Sequence, residues 1–384
     1  MIAEGLILGV SYMAWYNKEE IMIRRKWKRI TESVGIKNKL GKSIKLWKYD
    51  KTDYGYDLLV ELPYGYTMDG FANSIDIFKE ALGLESIEMN AKNNMCILEC
   101  VEIKIIDRYS PYPLPPNKLY IAKGLNEPII VDMNRFPHML IGGDTGTGKS
   151  KLLSAILTNL VATTDLIDIY LLQMRKNDLE VFENCKQVIS STKDLKDIRD
   201  KLKSIDEECV RREQLIKPTL GYYNISDYNK ANKPLKYVYV VIEEFSFLNR
   251  NGGDTKYEDE LKKECLKYIK TVVNVGRSSG VFLITALQKP TKDSIPSDIK
   301  SQLTTRLALK ICDQPASIVT LGNGNATELG EREVIIRTLG EQLATTMTIE
   351  HEDIMKYIKP KLVNKPKSKP KKRKAADIFE THGA

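Results

Sequence analysis

The ten residues Ile141–Ser150 (IGGDTGTGKS) constrain this 384-residue chain more than any others, because they contain the full GxxxxGK[ST] pattern. In that pattern glycines let backbone N–H groups surround a β-phosphate, the lysine reaches the β and γ oxygens, and the hydroxyl binds Mg²⁺. Phe136–Ile141 (FPHMLI) predicts a strand entering the loop, and Lys151–Val161 (KLLSAILTNLV) predicts a helix whose dipole favours phosphate. The residues predicted to bind a nucleoside triphosphate are Gly143, Asp144, Thr145, Gly146, Thr147, Gly148, Lys149 and Ser150, with Ser150 also a ligand of Mg²⁺.

Two acids follow a second predicted strand. Tyr237–Ile242 (YVYVVI) is apolar throughout and runs directly into Glu243 and Glu244. Hydrolysis of a triphosphate needs one acid near Mg²⁺ and another that polarises the attacking water. We therefore expect Glu243 on the metal side and Glu244 as the catalytic acid. In isolation the pair would be a solvated strand end, but a phosphate loop in the same sheet favours the catalytic role.

Three further polar residues are candidates for the same site. Val281–Pro290 (VFLITALQKP) predicts a strand ending near Gln288, which could sense the γ-phosphate because ligands lie at the carboxyl ends of parallel strands. A glutamine at such an end is also commonly only solvated. Arg277 and Arg306 are candidates to reach a phosphate, as an arginine finger from a neighbouring subunit does. The alternative for either arginine is a surface or structural ion pair.

The nucleotide is expected to be ATP. Asn229–Asn232 (NKAN) lacks the acid of the guanine-selecting NKxD pattern. A second acidic strand end in a chain of this length also disfavours a small-molecule kinase.

Composition restricts the other chemistry. Six scattered cysteines and three histidines show no zinc spacing and support neither a disulfide framework nor a metal cluster, which favours a reducing cytoplasm. Much of the net charge of +8 lies in Lys365–Lys374 (KPKSKPKKRK), which we expect to be a disordered tail. Overall charge is therefore weak evidence for nucleic-acid binding.

The first residues allow two interpretations. Ile2–Tyr16 (IAEGLILGVSYMAWY) is shorter than the roughly 20 residues of a bilayer span, yet Trp15, Tyr16 and the basic run Arg24–Arg29 follow as at a membrane exit. One interpretation is a helix that contacts the inner face of the cell membrane. The other is a buried or amphipathic helix of a soluble protein.

The remaining patterns predict four parts. Residues 1–30 are the apolar and basic N-terminal segment. Short alternating runs and a helix near Ala72–Leu82 predict a small α+β domain over 31–115, closed by the proline-rich Ser110–Pro116. Alternating apolar strands and long helices then predict an α/β domain over 116–358, with a parallel sheet covered by helices on both faces. Residues 359–384 are the tail.

Taken together, the motifs resemble the FtsK/SpoIIIE family of DNA translocases, including the short, TcpA-like coupling proteins of conjugative elements. The segments that resemble the family in order are Phe136–Ser150, Val210–Tyr228, Val238–Leu248, Val275–Pro290, Ser301–Lys310 and Leu321–Asn325.

The resemblance implies a RecA-like P-loop NTPase motor that uses ATP and Mg²⁺. It implies Glu244 as catalytic acid, Gln288 as sensor and Arg306 as a finger acting in trans. Two motifs depart from the family. Glu243 stands in place of aspartate, and Gln173, Met174 and Arg175 stand in place of aspartate-proline-lysine. A C-terminal winged helix has no obvious room after Ile349.

The function expected from the resemblance is ATP-driven translocation of double-stranded DNA, independent of sequence, by a ring of identical subunits, which the resemblance implies to be a hexamer. The expected role is coupling in conjugative transfer, with a relaxase or a membrane secretion channel as partner. Chromosome segregation and replication of a mobile element remain alternatives. A different class, a nucleotide-gated scaffold that recruits a DNA-processing complex, is kept open by Glu243.

Overall fold

The computed structural model describes residues 19–365, apart from positions 39, 53, 93, 103–107, 124–127, 175–176 and 289. The predictions for residues 2–16, for Arg175 and for the tail beyond residue 365 lie outside this part of the chain. Contacts between Cα atoms divide the chain into two compact units that meet in sequence at residues 106 and 107. Within the described residues, no helix combines the length and apolar character that a membrane crossing requires.

The first unit is a four-stranded antiparallel sheet with helices, in strand order β1-β2-β4-β3. Its core is aromatic, because Trp27 and Phe71 both contact Phe78, at ring-centroid distances of 4.8 and 5.5 Å. Alternate residues of β2 are buried, as the alternating sequence predicted. The elements are α1 (residues 19–33), β1 (Lys45–Lys51), β2 (Gly55–Glu61), α2 (Met68–Ala72), α3 (Ile75–Leu82), β3 (Ser86–Lys92) and β4 (Met95–Val101).

The second unit is built on a ten-stranded mixed sheet of order β6-β5-β14-β13-β12-β7-β11-β10-β8-β9. The six strands from β12 to β9 are parallel, and the other four are joined by antiparallel pairing. The strands are β5 (Lys118–Lys123), β6 (Pro128–Asp132), β7 (Met139–Gly143), β8 (Ile167–Leu172), β9 (Val188–Thr192), β10 (Tyr237–Ile242), β11 (Val281–Gln288), β12 (Thr305–Ala308), β13 (Glu333–Arg337) and β14 (Glu341–Thr345).

Helices cover both faces of this sheet, as predicted. Residues Val238 and Val240 of β10 belong to a core with α5 and α7, whereas Tyr239 and Val241 belong to a core with α4 and α10. The helices are α4 (Lys149–Thr163), α5 (Leu195–Leu215), α6 (Ile225–Ala231), α7 (Lys256–Ser279), α8 (Ser297–Gln302), α9 (Gln314–Leu321) and α10 (His351–Ile358). Short 3₁₀ helices lie at Glu180–Phe182, Pro218–Leu220, Phe245–Leu248, Asn325–Thr327 and Lys359–Lys361.

Local signals define the ends of the long helices. Helix α7 begins with a capping box, in which Thr255 and Glu258 bond each other's backbone N–H groups, and ends before Gly280 at φ 71°. Helix α5 begins after Asp194, whose side chain accepts from the N–H of Asp197.

The last described residues are attached to the edge of the sheet. The N–H of Lys186 donates to the carbonyl of Lys361, and the N–H of Val363 donates to that of Asn184. The ammonium of Lys365 donates to the carbonyls of Glu183 and Cys185, each at 2.7 Å, and also to the carbonyl of Val188. Residues 361–365 are therefore joined to the segment that leads into the edge strand β9.

Candidate active site

The glycine-rich loop between β7 and α4 has the backbone form of a phosphate cradle. Gly146 and Gly148 adopt φ values of 84° and 100°, which favour glycine strongly over residues with a Cβ. At Gly146 a Cβ would meet no atom within 4 Å, so the loop is open at this point. The sequence thus places glycine where the turn requires it and where a phosphate oxygen can approach the backbone.

Lys149 carries the positive charge of this loop. Its side chain is buried, and Nζ donates to the carbonyls of Gly143 at 2.5 Å and Asp144 at 2.7 Å. The hydroxyl of Thr147 also donates to the carbonyl of Asp144, at 2.7 Å. The ammonium therefore lies against the loop that is predicted to bind the phosphates.

Ser150 contacts an acid that the sequence analysis missed. Its hydroxyl donates to Oδ2 of Asp178 at 2.8 Å. Asp178 lies in the connection after β8, six residues beyond the strand end, and no motif pointed to it. The sequence did contain one signal for it. An acid that closely follows a parallel strand lies at the edge where the carboxyl ends of such strands meet, which is also the edge of the phosphate loop.

The two acids after β10 are both buried, with exposed fractions of 4% for Glu243 and 6% for Glu244. Glu244 is held in a defined position. Its Oε1 accepts from the hydroxyl of Ser246 at 2.7 Å, and its Oε2 accepts from the backbone N–H of Gln288 at 3.1 Å. Such charge-assisted bonds fix the orientation of a carboxylate.

The register of the sheet brings the predicted residues to one edge. Ile242, which precedes the acids, pairs with Thr285 of β11, and Gln288 at the end of β11 pairs with Gly143 of β7. The acids, Gln288 and the glycine loop therefore lie at the carboxyl ends of three neighbouring strands. Burial and these contacts exclude the alternative of a freely solvated Glu244.

Both arginine candidates contact backbone carbonyls away from the phosphate loop. Arg306 pairs with Leu140, three residues before Gly143, or roughly 10 Å along the strand. Its guanidinium donates to carbonyls of Leu303, Lys300 and Thr320 at 3.3–3.4 Å. Burial, and then the charge of Arg337 on β13, lower its pKa.

Arg277 lies at the end of α7, before the amino end of β11. Its Nε donates to the carbonyl of Asn134 at 2.9 Å. The structure therefore gives Arg277 a contact with a neighbouring loop, at the edge opposite the phosphate loop.

Gln173, which departs from the family pattern, supports the loop that carries Asp178. Its fully buried side chain accepts from the N–H of Leu179 at 3.1 Å and donates to the hydroxyl of Ser191 at 3.0 Å. The neutral amide thus connects β9 to the segment beside Ser150.

His138, which leads into β7, is a buried structural residue. It has φ 61°, and its Nδ1 accepts from the N–H of Leu283 at 3.0 Å. Burial lowers the pKa of the imidazole to about 3, so the ring is neutral at physiological pH. Its role is to join the amino end of β7 to β11.

The residues present fit Mg²⁺ and a triphosphate. Mg²⁺ is commonly held by one or two protein oxygens together with phosphates and water, rather than by a protein cage. The Ser150 hydroxyl and the Glu243 carboxylate are oxygens of this kind. The described part of the chain contains no group of three or more His, Cys, Asp or Glu residues that could hold a metal.

Comparison with known proteins shows a similarity that extends well beyond the phosphate loop. The model of the FtsK/SpoIIIE family matches residues 115–319. DNA translocase SpoIIIE of Bacillus subtilis is 28% identical over 281 residues, covering 68% of this chain and 33% of the relative. DNA translocase FtsK of Staphylococcus epidermidis is 26% identical over 269 residues, covering 63% and 32%. The chain thus matches about a third of the length of these relatives.

Solved structures share the fold. The pCW3 conjugation coupling protein TcpA, in a monomer form with ATPγS, superposes with a TM-score of 0.62 at 20% identity, covering 88% of this chain and 98% of that one. The cytoplasmic domain of the type VII secretion ATPase EccC of Thermomonospora curvata gives a TM-score of 0.53 at 20% identity, covering 68% and 32%. These likenesses identify an α/β P-loop NTPase fold.

Proposed function

This chain belongs to the FtsK/SpoIIIE family, and we propose that it hydrolyses ATP to move double-stranded DNA. The contact between Glu244 and Gln288, at the same sheet edge as the glycine loop, is the observation that supports hydrolysis most directly. The relatives named above as DNA translocases support DNA as the substrate.

Each residue at the edge has a proposed task. The loop from Gly143 to Lys149 binds the phosphates, and Ser150 with Glu243 holds Mg²⁺. When bound, Mg²⁺ neutralises charge on the phosphates. Glu244 polarises the attacking water, and its two donors keep the carboxylate aimed at one place. Gln288 reports the state of the γ-phosphate through its position between Glu244 and Gly143.

A ring of identical subunits, proposed to be a hexamer, completes the site. Arg306 lies roughly 10 Å along β7 from the loop of its own subunit, and three carbonyls hold it there. An arginine finger acts on the transferring phosphoryl group, which requires closer approach. We therefore assign Arg306 to the site of the neighbouring subunit.

DNA is gripped by its backbone, independently of sequence. Binding of this kind weakens steeply with salt because cations are released from the phosphates. We further propose that the DNA belongs to a conjugative element, with a relaxase or a membrane secretion channel as partner. Support for this narrower role comes from the fold shared with 98% of the TcpA chain.

The test is ATP turnover with and without double-stranded DNA for the wild type, Lys149→Ala and Glu244→Gln. The proposal predicts stimulation by DNA in the wild type and loss of turnover in both variants. Absence of stimulation would reject the translocase and favour a nucleotide-gated scaffold. Full turnover of Lys149→Ala would reject the phosphate-loop assignment.

A DNA-transfer assay in the native host tests the narrower role. Deletion of the gene should abolish transfer while growth stays normal. Normal transfer with a defect in chromosome segregation or in replication of the element would assign the translocase to that process instead.

A further inference from the structure

The antiparallel sheet of the first unit has an inner face that the helices cover and an outer face on its other side. Helices α1, α2 and α3 pack on the inner face, where their apolar residues share a core with alternate residues of β2 and β4, among them Leu58 and Leu98. The residues between these point to the outer face, because successive side chains of a strand alternate. Ile97 of β4 is 44% exposed there, although it is a large apolar residue. The outer face is therefore a surface on which a partner can dock.

Four carboxylates form a row across this outer face. Asp57 of β2 pairs with Asp50 of β1 on one side and with Glu99 of β4 on the other. Glu99 pairs in turn with Glu88 of β3, so each strand of the sheet contributes one acid to this acidic row. Directly opposed residues of antiparallel strands lie on the same face, and like charges in such positions destabilise a sheet. With neighbouring strands about 4.8 Å apart, the acidic row is roughly 14 Å long.

The carboxylates of the acidic row repel one another. Burial, and then the charges of Glu99 and Asp50, raise the pKa of Asp57. Burial and the charge of Glu99 likewise raise the pKa of Glu88. At one end of the row, Lys48 forms an ion pair with Asp50 at 2.7 Å. Cations that dock along the rest of the row would relieve the repulsion, so the charge pattern favours a basic partner.

Helix α1 carries positive charge on the side turned away from the sheet. Ile23 and Trp27 are buried in the core, whereas Arg25, Lys28 and Arg29 are exposed. Lys28 and Arg29 follow Arg25 by three and four residues, which places all three side chains on one side of the helix. None of these three forms an ion pair with a residue in the part of the chain that the structure describes. The unit therefore has a basic surface on one side and an acidic surface on the other.

The two surfaces also match in the spacing between charge and apolar area. On α1, Ile21 is 50% exposed and lies four residues before Arg25, roughly 6 Å along the helix axis. On the outer face, Ile97 pairs with Leu59 and lies two residues from Glu99, roughly 7 Å along β4. A helix that lays its basic side chains on the acidic row can therefore place Ile21 on the apolar pair beside the row.

We propose that the exposed side of α1 in one copy of this chain docks on the acidic row of a second copy. Because the two surfaces differ and face opposite ways, the contact is heterologous: each copy offers α1 to one neighbour and the acidic row to the other. Contacts of this kind build a ring when their rotation closes. The inference adds an interface between first units to the proposed ring, and it rests on the proposed function only for that closure.

Charge reversal in the full chain tests the pairing. The α1 variant is Arg25→Glu with Arg29→Glu. The row variant is Asp50→Lys with Glu88→Lys. In each variant alone, the dissociation constant of self-association should rise about tenfold or more, because like charges then face each other across the contact. An equimolar mixture of the two variants should recover wild-type association, since each reversed surface meets its complement. Sedimentation velocity without nucleotide or DNA measures both quantities.

Lys37→Glu with Lys42→Glu is the matched control. Both lysines are exposed in the connection between α1 and β1, and the change in net charge equals that of the α1 variant. This control should associate as the wild type does. Equal weakening in the control, or a mixture of folded variants that stays dissociated, would overturn the proposed pairing. Weakening in the row variant alone would assign the acidic row to a different basic segment and would also overturn it.

Carbodiimide coupling of the unmutated chain decides the matter if a variant does not fold. This reagent joins an amine directly to a carboxylate, so it should link Lys28 of one copy to Asp57, Glu88 or Glu99 of another. Mixing isotopically labelled and unlabelled chains identifies links between copies by mass spectrometry. Absence of such links at concentrations where the chain associates would reject the contact.

This proposal and the proposed function fail differently. Recovery of association in the mixture, in a protein whose turnover ignores DNA, rejects the translocase only. Turnover that DNA stimulates, together with a mixture that stays dissociated, rejects the contact between α1 and the acidic row only.

Discussion

The backbone N–H of Gln288 lies 3.1 Å from Oε2 and 3.3 Å from Oε1 of the Glu244 carboxylate. It thereby joins the acid after β10 to the last residue of β11. Because the donor is a backbone group, the contact does not require the amide side chain of Gln288. Orientation of the acid and any sensing by the side chain can therefore be separated by mutation.

Glu244→Gln should lower ATP turnover by about 10²–10⁴-fold, because the variant lacks the carboxylate that polarises water. ATP affinity should change little, since the glycine loop and Lys149 are intact. Steady-state hydrolysis and equilibrium binding measure the two effects. Glu213→Gln, on the exposed face of α5, is the control. Wild-type turnover in Glu244→Gln would remove this residue from the mechanism.

Gln288→Ala should retain turnover without DNA to within about threefold, since its backbone N–H still holds Glu244. Stimulation by DNA should be lost, because the side chain that is proposed to sense the γ-phosphate is absent. Turnover measured over a range of DNA concentrations separates the two quantities. A fall without DNA as large as that of Glu244→Gln would show that the side chain takes part in the chemical step.

Arg306→Ala and Glu244→Gln should each be inactive alone, yet active when mixed. In a ring, a Glu244→Gln subunit still offers Arg306 to a neighbour that still has Glu244. An equimolar random mixture then restores about a quarter of the interfaces. ATP turnover of co-assembled subunits measures this recovery.

The mixing result also tests a structural alternative. Arg306 bonds three carbonyls, so its removal could disturb α8 and α9. Thermal unfolding of Arg306→Ala should remain cooperative and close to wild type. If the mixture stays inactive while both variants assemble, Arg306 does not act in trans.

His138 should make stability depend on pH. In the folded chain the pKa of its imidazole is about 3, below its ordinary value of about 6.5. The unfolded state therefore binds more protons between these values, and stability is lost as pH falls from about 6.5 toward 3. The slope contributed by one such group is at most about 1.4 kcal/mol per pH unit.

Urea unfolding of His138→Asn isolates this contribution. Asparagine tolerates the positive φ of this position and keeps an acceptor for the N–H of Leu283, but it does not titrate. The variant should lose less stability than the wild type between pH 7 and pH 5. Equal pH dependence in the two proteins would show that His138 is protonated or exposed in the fold.

The sequence was most informative where local pattern and burial agree. Strand β10 has the predicted bounds because every one of its six residues is apolar and buried. The antiparallel strands β13 and β14 were not predicted. Strand β14 buries only Ala344 and shows no alternation of buried and exposed residues. The predicted parallel sheet therefore accounts for six of the ten strands. The antiparallel strands that extend it depend on pairing between distant segments.

Within the site, residues next to a strand end were predictable and residues brought in by a loop were not. Glu244 lies just after an apolar strand and Gln288 is the last residue of another, so the rule for strand ends located them. Asp178 reaches Ser150 through a turn that Gln173 stabilises, and that contact has no spacing signature. The three carbonyl partners of Arg306 likewise depend on how α8 and α9 pack.

The attachment of residues 361–365 beside β9 has a mechanical consequence. Tension applied to the chain beyond Lys365 passes first into the bonds with Asn184, Glu183 and Lys186, and then into β9 and β8. Strand β10, which leads directly into Glu243 and Glu244, is the next strand of the sheet after β8. A tether placed at this end for force measurements would load the strand that leads into the proposed catalytic acid, so an optical-trap handle belongs elsewhere on the molecule.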